Sequence, residues 1–242
     1  MIVIITHNGY EYISACLSGI RHFQPDMEIL VVDTCSTDES YFTYLQSIQD
    51  EYNFLLEQTD GAHYDFPAYR LAVQKHPRSW YFFHHDSLVP KMDFYNIMPQ
   101  ALTEMNNTVQ AFIEFPDNQY DTPAQRMFVE EIMGESSYIS GIWGSCFGAS
   151  WEIMRDIDTE GYLDKVYEKI INIGNENGKI MKSCSMERLW PAIIRKIGAE
   201  ISYFEPASGY GWQDRLSMDE ASCFSKLTFL SKDHNQWRVN SR

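Results

Sequence analysis

Four clusters of polar residues follow apolar runs in this sequence, and their types are those that handle charge and protons. Thr6, His7 and Asn8 come directly after "IVII". Asp33, Thr34, Cys35, Ser36, Thr37 and Asp38 come after "ILVV". Asp60 and Gly61 follow "FLL" at a short distance, and His84, His85, Asp86 and Ser87 come after "WYFF". Imidazoles and carboxylates are expensive to bury without partners, so at the ends of apolar runs they read as ligand-facing groups. There is no GxGxxG after the first run and no GxxxxGK[ST] anywhere, so something other than a glycine cradle must hold any phosphate.

The elements that must position these groups alternate. Ile2 to Thr6 is short, β-branched and apolar, the pattern of a strand buried on both faces. Asn8 stands three residues before Glu11 as a variant capping box, and Tyr12, Cys16, Ile20 and Phe23 then repeat at helical spacing. The unit recurs: "EILVVD" predicts a second strand, and Ser36 with Glu39 opens a helix carrying Phe42, Leu45, Ile48 and Tyr52. Phe54 to Leu56 is a third strand, Pro67 to His76 a third helix, and Trp80 to Phe83 a fourth strand. Such alternation predicts a parallel, doubly wound sheet, whose ligands bind outside the strands' carboxyl ends. All four polar clusters then share one rim.

Beyond Pro90 the pattern loosens into a helix with Met92, Tyr95, Met98 and Leu102, a strand "VQAFIEF", a helix opened by Thr122, Pro123 and Gln125, and a Gly-rich segment "YISGIWGSCFGAS". Two further helices, Thr159 to Ile173 and Ser185 to Ile197, precede a strand "AEISYF" and an irregular polar tail. With no repeat and no linker, residues 1–242 read as one domain.

The chain carries 19 basic against 34 acidic side chains, net −15, which argues against a nucleic-acid partner. An anionic substrate then needs a metal ion or local backbone donors. The five cysteines form no CxxC pair, which argues against a disulfide framework and a structural zinc site and points to a reducing, cytoplasmic setting. The opening residues lack a basic region and a long apolar run, and no segment approaches a membrane span, so the expectation is a soluble protein without a leader.

The stretches "IVIITHNGYEYISACLSGI", "EILVVDTCSTDES" and "YFFHHDSLVP" resemble the nucleotide-sugar half of a family 2-like glycosyltransferase with the GT-A fold. The resemblance is good over residues 1–90 and looser over 138–204. It implies an α/β fold with a mostly parallel central sheet flanked by helices. Residues 1–90 would form the nucleotide-sugar-binding half and 91–242 the acceptor side and tail. It implies a nucleoside diphosphate sugar as donor, a glycan or other hydroxyl acceptor, and a donor site at Thr6, His7, Asn8, Asp33, Asp60, Gly61, His84, His85 and Asp86. Asp33 matches the nucleoside-contacting Asp and Asp38 belongs to the same signature, in which Thr34 and Cys35 replace the usual Asp and Gly.

At the family's DxD metal motif this chain reads His84, His85, Asp86. Asp86 would ligate a divalent cation, Mn2+ or Mg2+, with His84 as a nitrogen ligand, a pairing that suits manganese better. The cation would stabilise the leaving diphosphate as a Lewis acid. Neighbouring strand residues face opposite ways, so one of the two histidines faces the ligand, and His84 is the choice. His234 is a third metal candidate. In the looser part, Gly148 in "GSCFGASWEIM" matches the acceptor-side segment, and Glu187 matches the acidic residue that acts as general base in an inverting displacement. Trp190 and Trp212 are the aromatics assigned to the acceptor side.

Two alternatives stand beside this. The "GSCFG" segment fits a nucleophile elbow with Cys146 as nucleophile and His234 as its partner, an α/β hydrolase. A non-catalytic nucleotide-sugar-binding module of the same fold would also suit the altered metal motif.

Overall fold

The run Ile2 to Ile5 is buried on alternate sides of one strand, because helices cover both faces of the sheet that it centres. A computed structural model of the chain describes residues 1–60, 65–90, 107–115, 123–134, 141–142, 146–172, 185–205, 224–229 and 237–239. Strand β1 (Ile2–Thr6) pairs in parallel with β2 (Ile29–Asp33) on one side and with β4 (Trp80–His85) on the other. Outside β2 lies β3 (Leu55–Gln58), also parallel. The intervening helices are α1 (Tyr10–Phe23), α2 (Glu39–Tyr52) and α3 (Phe66–Lys75). These are the alternating units expected from the sequence.

The second half turns the sheet mixed. Its strands are β6 (Thr108–Phe115), β7 (Gly141–Ile142), β8 (Phe147–Ser150) and β9 (Glu200–Glu205). Among the described residues the sheet runs β3, β2, β1, β4, β8, β6, β7, with β9 beside β6. Strand β8 is antiparallel to both β4 and β6, whereas β6 and β9 are parallel. Among the described residues four helices flank this half: α4 (Pro123–Met133), α5 (Trp151–Thr159), α6 (Tyr162–Ile171) and α7 (Ser185–Lys196). The predicted helix from Thr159 to Ile173 is interrupted at its start, because Gly161 adopts a left-handed φ of 76° that ends one helix and begins the next.

Two cores follow from strand alternation. Val3, Ile5, Leu30, Val32, Tyr81 and Phe83 face α3 and the later helices, while Ile2, Ile4, Val31 and Phe82 face α1 and α2. Each such side chain contributes about 1.5–3 kcal/mol by leaving water. Arg21 ties the edge opposite the polar clusters. Its guanidinium donates to the carbonyls of Gln24, Pro25, Met27, Tyr52 and Asn53 at 2.5 to 3.2 Å, joining the turns that leave α1 and α2.

The tail is not irregular throughout. Strand β5 (Leu88–Pro90) leaves the main sheet just past Asp86 and pairs antiparallel with β10 (Phe224–Phe229), which pairs with β11 (Trp237–Val239). Gly19 lets β5 lie against α1, since a Cβ there would stand 2.9 Å from Pro90 Cδ and 3.0 Å from Val89 Cγ1. Among the described residues no helix is long and apolar enough to cross a membrane. The helix expected around Met92 to Leu102 lies outside the described residues.

Candidate active site

The loops after β1 and β2 are fastened to each other. The Thr34 N–H donates to the Thr6 carbonyl at 2.9 Å, extending the β1–β2 ladder by one residue, and the Thr34 hydroxyl reaches the same oxygen at 3.1 Å. The His7 Nδ1–H donates to the Thr34 carbonyl at 3.2 Å. Asn8 takes a left-handed φ of 52°, which an Asn tolerates, and so turns its groups sideways. Its N–H donates to Ser36 Oγ at 2.8 Å and its Nδ2 to Thr37 Oγ1 at 2.8 Å, while its Oδ1 accepts from the Asp38 N–H at 3.1 Å. Having spent its side chain on this loop, Asn8 does not cap α1; Gly9 is the N-cap, with no side-chain bond.

Asp33 is fully buried and its carboxylate is occupied. Its Oδ1 accepts from the Ser36 N–H at 3.1 Å and the Ser36 hydroxyl at 2.5 Å, and its Oδ2 from Gln58 Nε2 at 2.8 Å. In this structure it shapes the β2–α2 turn. Asp38, not Ser36, caps α2: its Oδ1 accepts from the Ser40 N–H at 2.9 Å and its Oδ2 from the Tyr10 hydroxyl at 2.8 Å. The Ser40 and Tyr10 hydroxyls hold its carboxyl below the ordinary value. His7, Asn8 and Asp60 are exposed, so they present surface at this rim. Asp60 follows Thr59, whose N–H donates to the Asp33 carbonyl at 3.0 Å.

The end of β4 holds the densest polar packing. The Asp86 N–H donates to the Ile5 carbonyl at 3.1 Å, continuing the β1–β4 ladder and delivering the carboxyl beside Thr6. The Thr6 hydroxyl donates to Asp86 Oδ2 at 2.6 Å and is itself hydrogen-bonded to the buried Tyr41 hydroxyl. Gly9 makes room: a Cβ there would lie 2.1 Å from Asp86 Oδ2. Asp86 is 8% exposed, and burial pushes its pKa up to about 6, against the hydrogen bond from Thr6 and the charge of His85.

The two histidines are disposed opposite to the expectation. His84 is fully buried on the α1–α2 face beside Phe82, its Nδ1–H donating to the His85 carbonyl at 2.9 Å, and burial pushes its pKa down to about 4. His85 is the partly exposed one, its Nε2 3.3 Å from Oδ2 of the buried Asp65. Strand alternation does separate the two, but helices α1 and α2 cover the face that His84 takes.

The acceptor-side residues are less exposed than the spacing implied. Gly148 lies inside the sheet, in register with Phe82 and Gln110. Trp190 is 1% exposed and packs against Phe66, Tyr69, Phe147 and their neighbours, with ring centroids 4.9 to 5.4 Å away, so it is core. Glu187 is partly exposed in the first turn of α7, one turn before Trp190. Cys146 is 1% exposed and precedes β8, with four strand residues between it and α5. A nucleophile elbow needs the strand before the nucleophile and the helix directly after it, so the Cys146 hydrolase is not the arrangement found. Gly61, Trp212 and His234 lie outside the described residues.

Among the described residues no three His, Cys, Asp or Glu side chains converge as a metal-binding group. Asp86 has one oxygen committed to Thr6, and the His84 ring is turned into the sheet, so the pair Asp86 and His84 does not fit a divalent cation as a ligand set. Three contributors to the site were missed in the sequence: Gly9, Tyr41 and Asp65. Tyr41 could have been found, since it stands four residues before the buried Leu45 on one helical stripe. Asp65 carried no signal short of knowing that α3 begins at Phe66.

Residues 1–61 match the family model described as glycosyl transferase family 2. No curated protein matches the chain. Among solved structures, GalNAc-T7 with UDP, GalNAc and Mn2+ is similar at a TM-score of 0.56 and 12% identity, over 84% of this chain and 41% of its own. TarS of S. aureus is similar at a TM-score of 0.50 and 14% identity, over 90% of this chain and 38% of its own. The chain thus spans less than half the length of either. The fold is that of the GT-A glycosyltransferases, as the resemblance implied, and the family 2 likeness holds over the first two strand–helix units.

Proposed function

We propose that the chain is a glycosyltransferase that holds a nucleoside diphosphate sugar across the carboxyl ends of β1, β2 and β4 and transfers the sugar to an acceptor hydroxyl. The observation that carries this is the meeting of Thr6, Gly9 and Asp86 at that edge, on a GT-A fold whose first 61 residues match the family 2 model. The loop residues His7, Asn8, Asp60 and Gly61 are the nucleoside side of the proposed site; Asp33 sets the turn beneath them. Asp86 and His85 stand where the diphosphate and sugar would lie. Glu187, in a helix first turn, takes the proton of the acceptor hydroxyl as that oxygen attacks the anomeric carbon. The bond to the diphosphate breaks with its electron pair leaving on the nucleotide, and the configuration inverts.

GalNAc-T7 was solved with Mn2+, and a divalent cation would supply Lewis-acid stabilisation of the leaving group. The described residues do not assemble its ligands, so a metal requirement would mean that His234 or another residue outside them completes a set with Asp86. Residues 1–90 are read as the donor half and 91–242 as the acceptor half of one domain. The free thiols of Cys16, Cys35 and Cys146 suit a reducing, cytoplasmic compartment.

The test is to incubate the protein with uridine, guanosine, thymidine and cytidine diphosphate sugars, with Mn2+, with Mg2+ and after chelation, and to measure nucleoside diphosphate release. Release from one donor, abolished in Glu187→Gln with acceptor present, is expected. The internal commitment of Asp86 and Asp33 favours one other reading, a non-catalytic nucleotide-sugar-binding module. Binding of a donor without release under any condition would select it.

A further inference from the structure

Tyr41 lies on α2, 35 residues from Thr6 in sequence, yet its hydroxyl is buried at the end of β1. It is bonded to the Thr6 hydroxyl, which donates to Asp86 Oδ2 at 2.6 Å. The direction of this chain is fixed at the carboxylate end, because a carboxylate only accepts and Thr6 spends its single proton on it. Tyr41 therefore gives its own proton to Thr6, and Thr6 gives its proton to Asp86. Burial pushes the Tyr41 phenol far up, so it stays a donor at every physiological pH. The Thr6 hydroxyl makes one donation and accepts one, and the carboxylate is pinned through one oxygen.

We propose that Tyr41 is a positioning residue: through Thr6 it holds the Asp86 carboxylate in one orientation at the edge where the donor would bind. Asp86 in that donor site rests on the function proposed above; the orientation itself does not. Without the phenol, the Thr6 hydroxyl is free to turn to another acceptor.

The experiment compares Tyr41→Phe, Thr6→Val, Thr6→Ser and the double variant Tyr41→Phe/Thr6→Val with Tyr44→Phe. Tyr44 is on the same helix and is paired with Ser14 at 2.6 Å, so it removes an equivalent hydroxyl outside the relay. Each variant is titrated with the nucleoside diphosphate that binds the wild type best, and its thermal unfolding is recorded. The expected result is a loss of affinity of about tenfold in Tyr41→Phe and in Thr6→Val, no further loss in the double variant, and affinity within about threefold of wild type in Thr6→Ser and Tyr44→Phe. Additive losses, or an equal loss in Tyr44→Phe, would overturn the relay. A crystal structure of Tyr41→Phe reads the orientation without any ligand. The Asp86 carboxylate rotated away from Thr6 supports the proposal, and an unmoved carboxylate refutes it. If no nucleoside diphosphate binds the wild type, the donor-site reading fails and the crystal structure still decides the relay.

Discussion

At the residue scale, two buried groups two positions apart pull stability in opposite directions with pH. The Asp86 carboxyl has its pKa raised to about 6, so its stabilising contribution is complete below about 4 and is lost as pH rises through 6. The His84 imidazole has its pKa lowered to about 4, so the fold loses stability as pH falls from about 6.5 through 4. Each effect is about 3 kcal/mol, and in the wild type they oppose each other across the same window. Asp86→Asn keeps an acceptor for Thr6 and removes the cost of a buried charge, so its unfolding temperature at pH 7.5 should rise by about 5–10 °C. Its stability should then fall more steeply on acidification, and thermal scans from pH 4 to 7.5 measure both. Stabilisation coupled to lost donor binding would mark Asp86 as a group kept for function. Gly9→Ala should cost about 1–3 kcal/mol, because its methyl would meet the carboxylate 2.1 Å away; an unfolding temperature equal to wild type would show that Asp86 has room to move. At this scale Thr6 and Asp86, both expected at the rim, meet at the end of β1, while His84, expected to face the ligand, is buried, since alternation says that two neighbours diverge and not which face the helices cover.

At the element scale, β1, β2 and β4 were legible because a strand buried on both faces is a continuous apolar run, whereas β3, outermost beside β2 among the described residues with Leu55 38% exposed, showed only as a short apolar run after a helical stripe. The antiparallel insertion of β8 between β4 and β6 was not legible, since short apolar runs carry no information on direction. The caps were read one or two residues early: Asn8 and Ser36 have capping side chains, but both are spent on the contact between the two loops. The edge opposite the site depends on Arg21. Arg21→Met should lower stability by about 2 kcal/mol through the stranded carbonyls while leaving nucleotide affinity unchanged, as denaturant unfolding and titration would show. Because Cys146 precedes its strand, Cys146→Ala should retain sugar-nucleotide turnover; abolished turnover in a folded variant would return the thiol to the chemistry.

For the whole molecule, the account is of a mixed sheet whose parallel half ends in one polar rim. Net charge of −15 makes nucleotide binding by a general basic surface unavailable, so specific groups at the rim must supply it. The central claim is that Asp86 belongs to a nucleoside diphosphate site. Its most direct test is calorimetric titration of wild type and Asp86→Asn with uridine, guanosine, thymidine and cytidine diphosphates, with and without Mn2+. Saturable binding of at least one nucleotide, weakened at least about tenfold in a variant that is folded and no less stable at pH 7.5, is the predicted result. Absence of binding by the wild type, or wild-type affinity in Asp86→Asn, would contradict it.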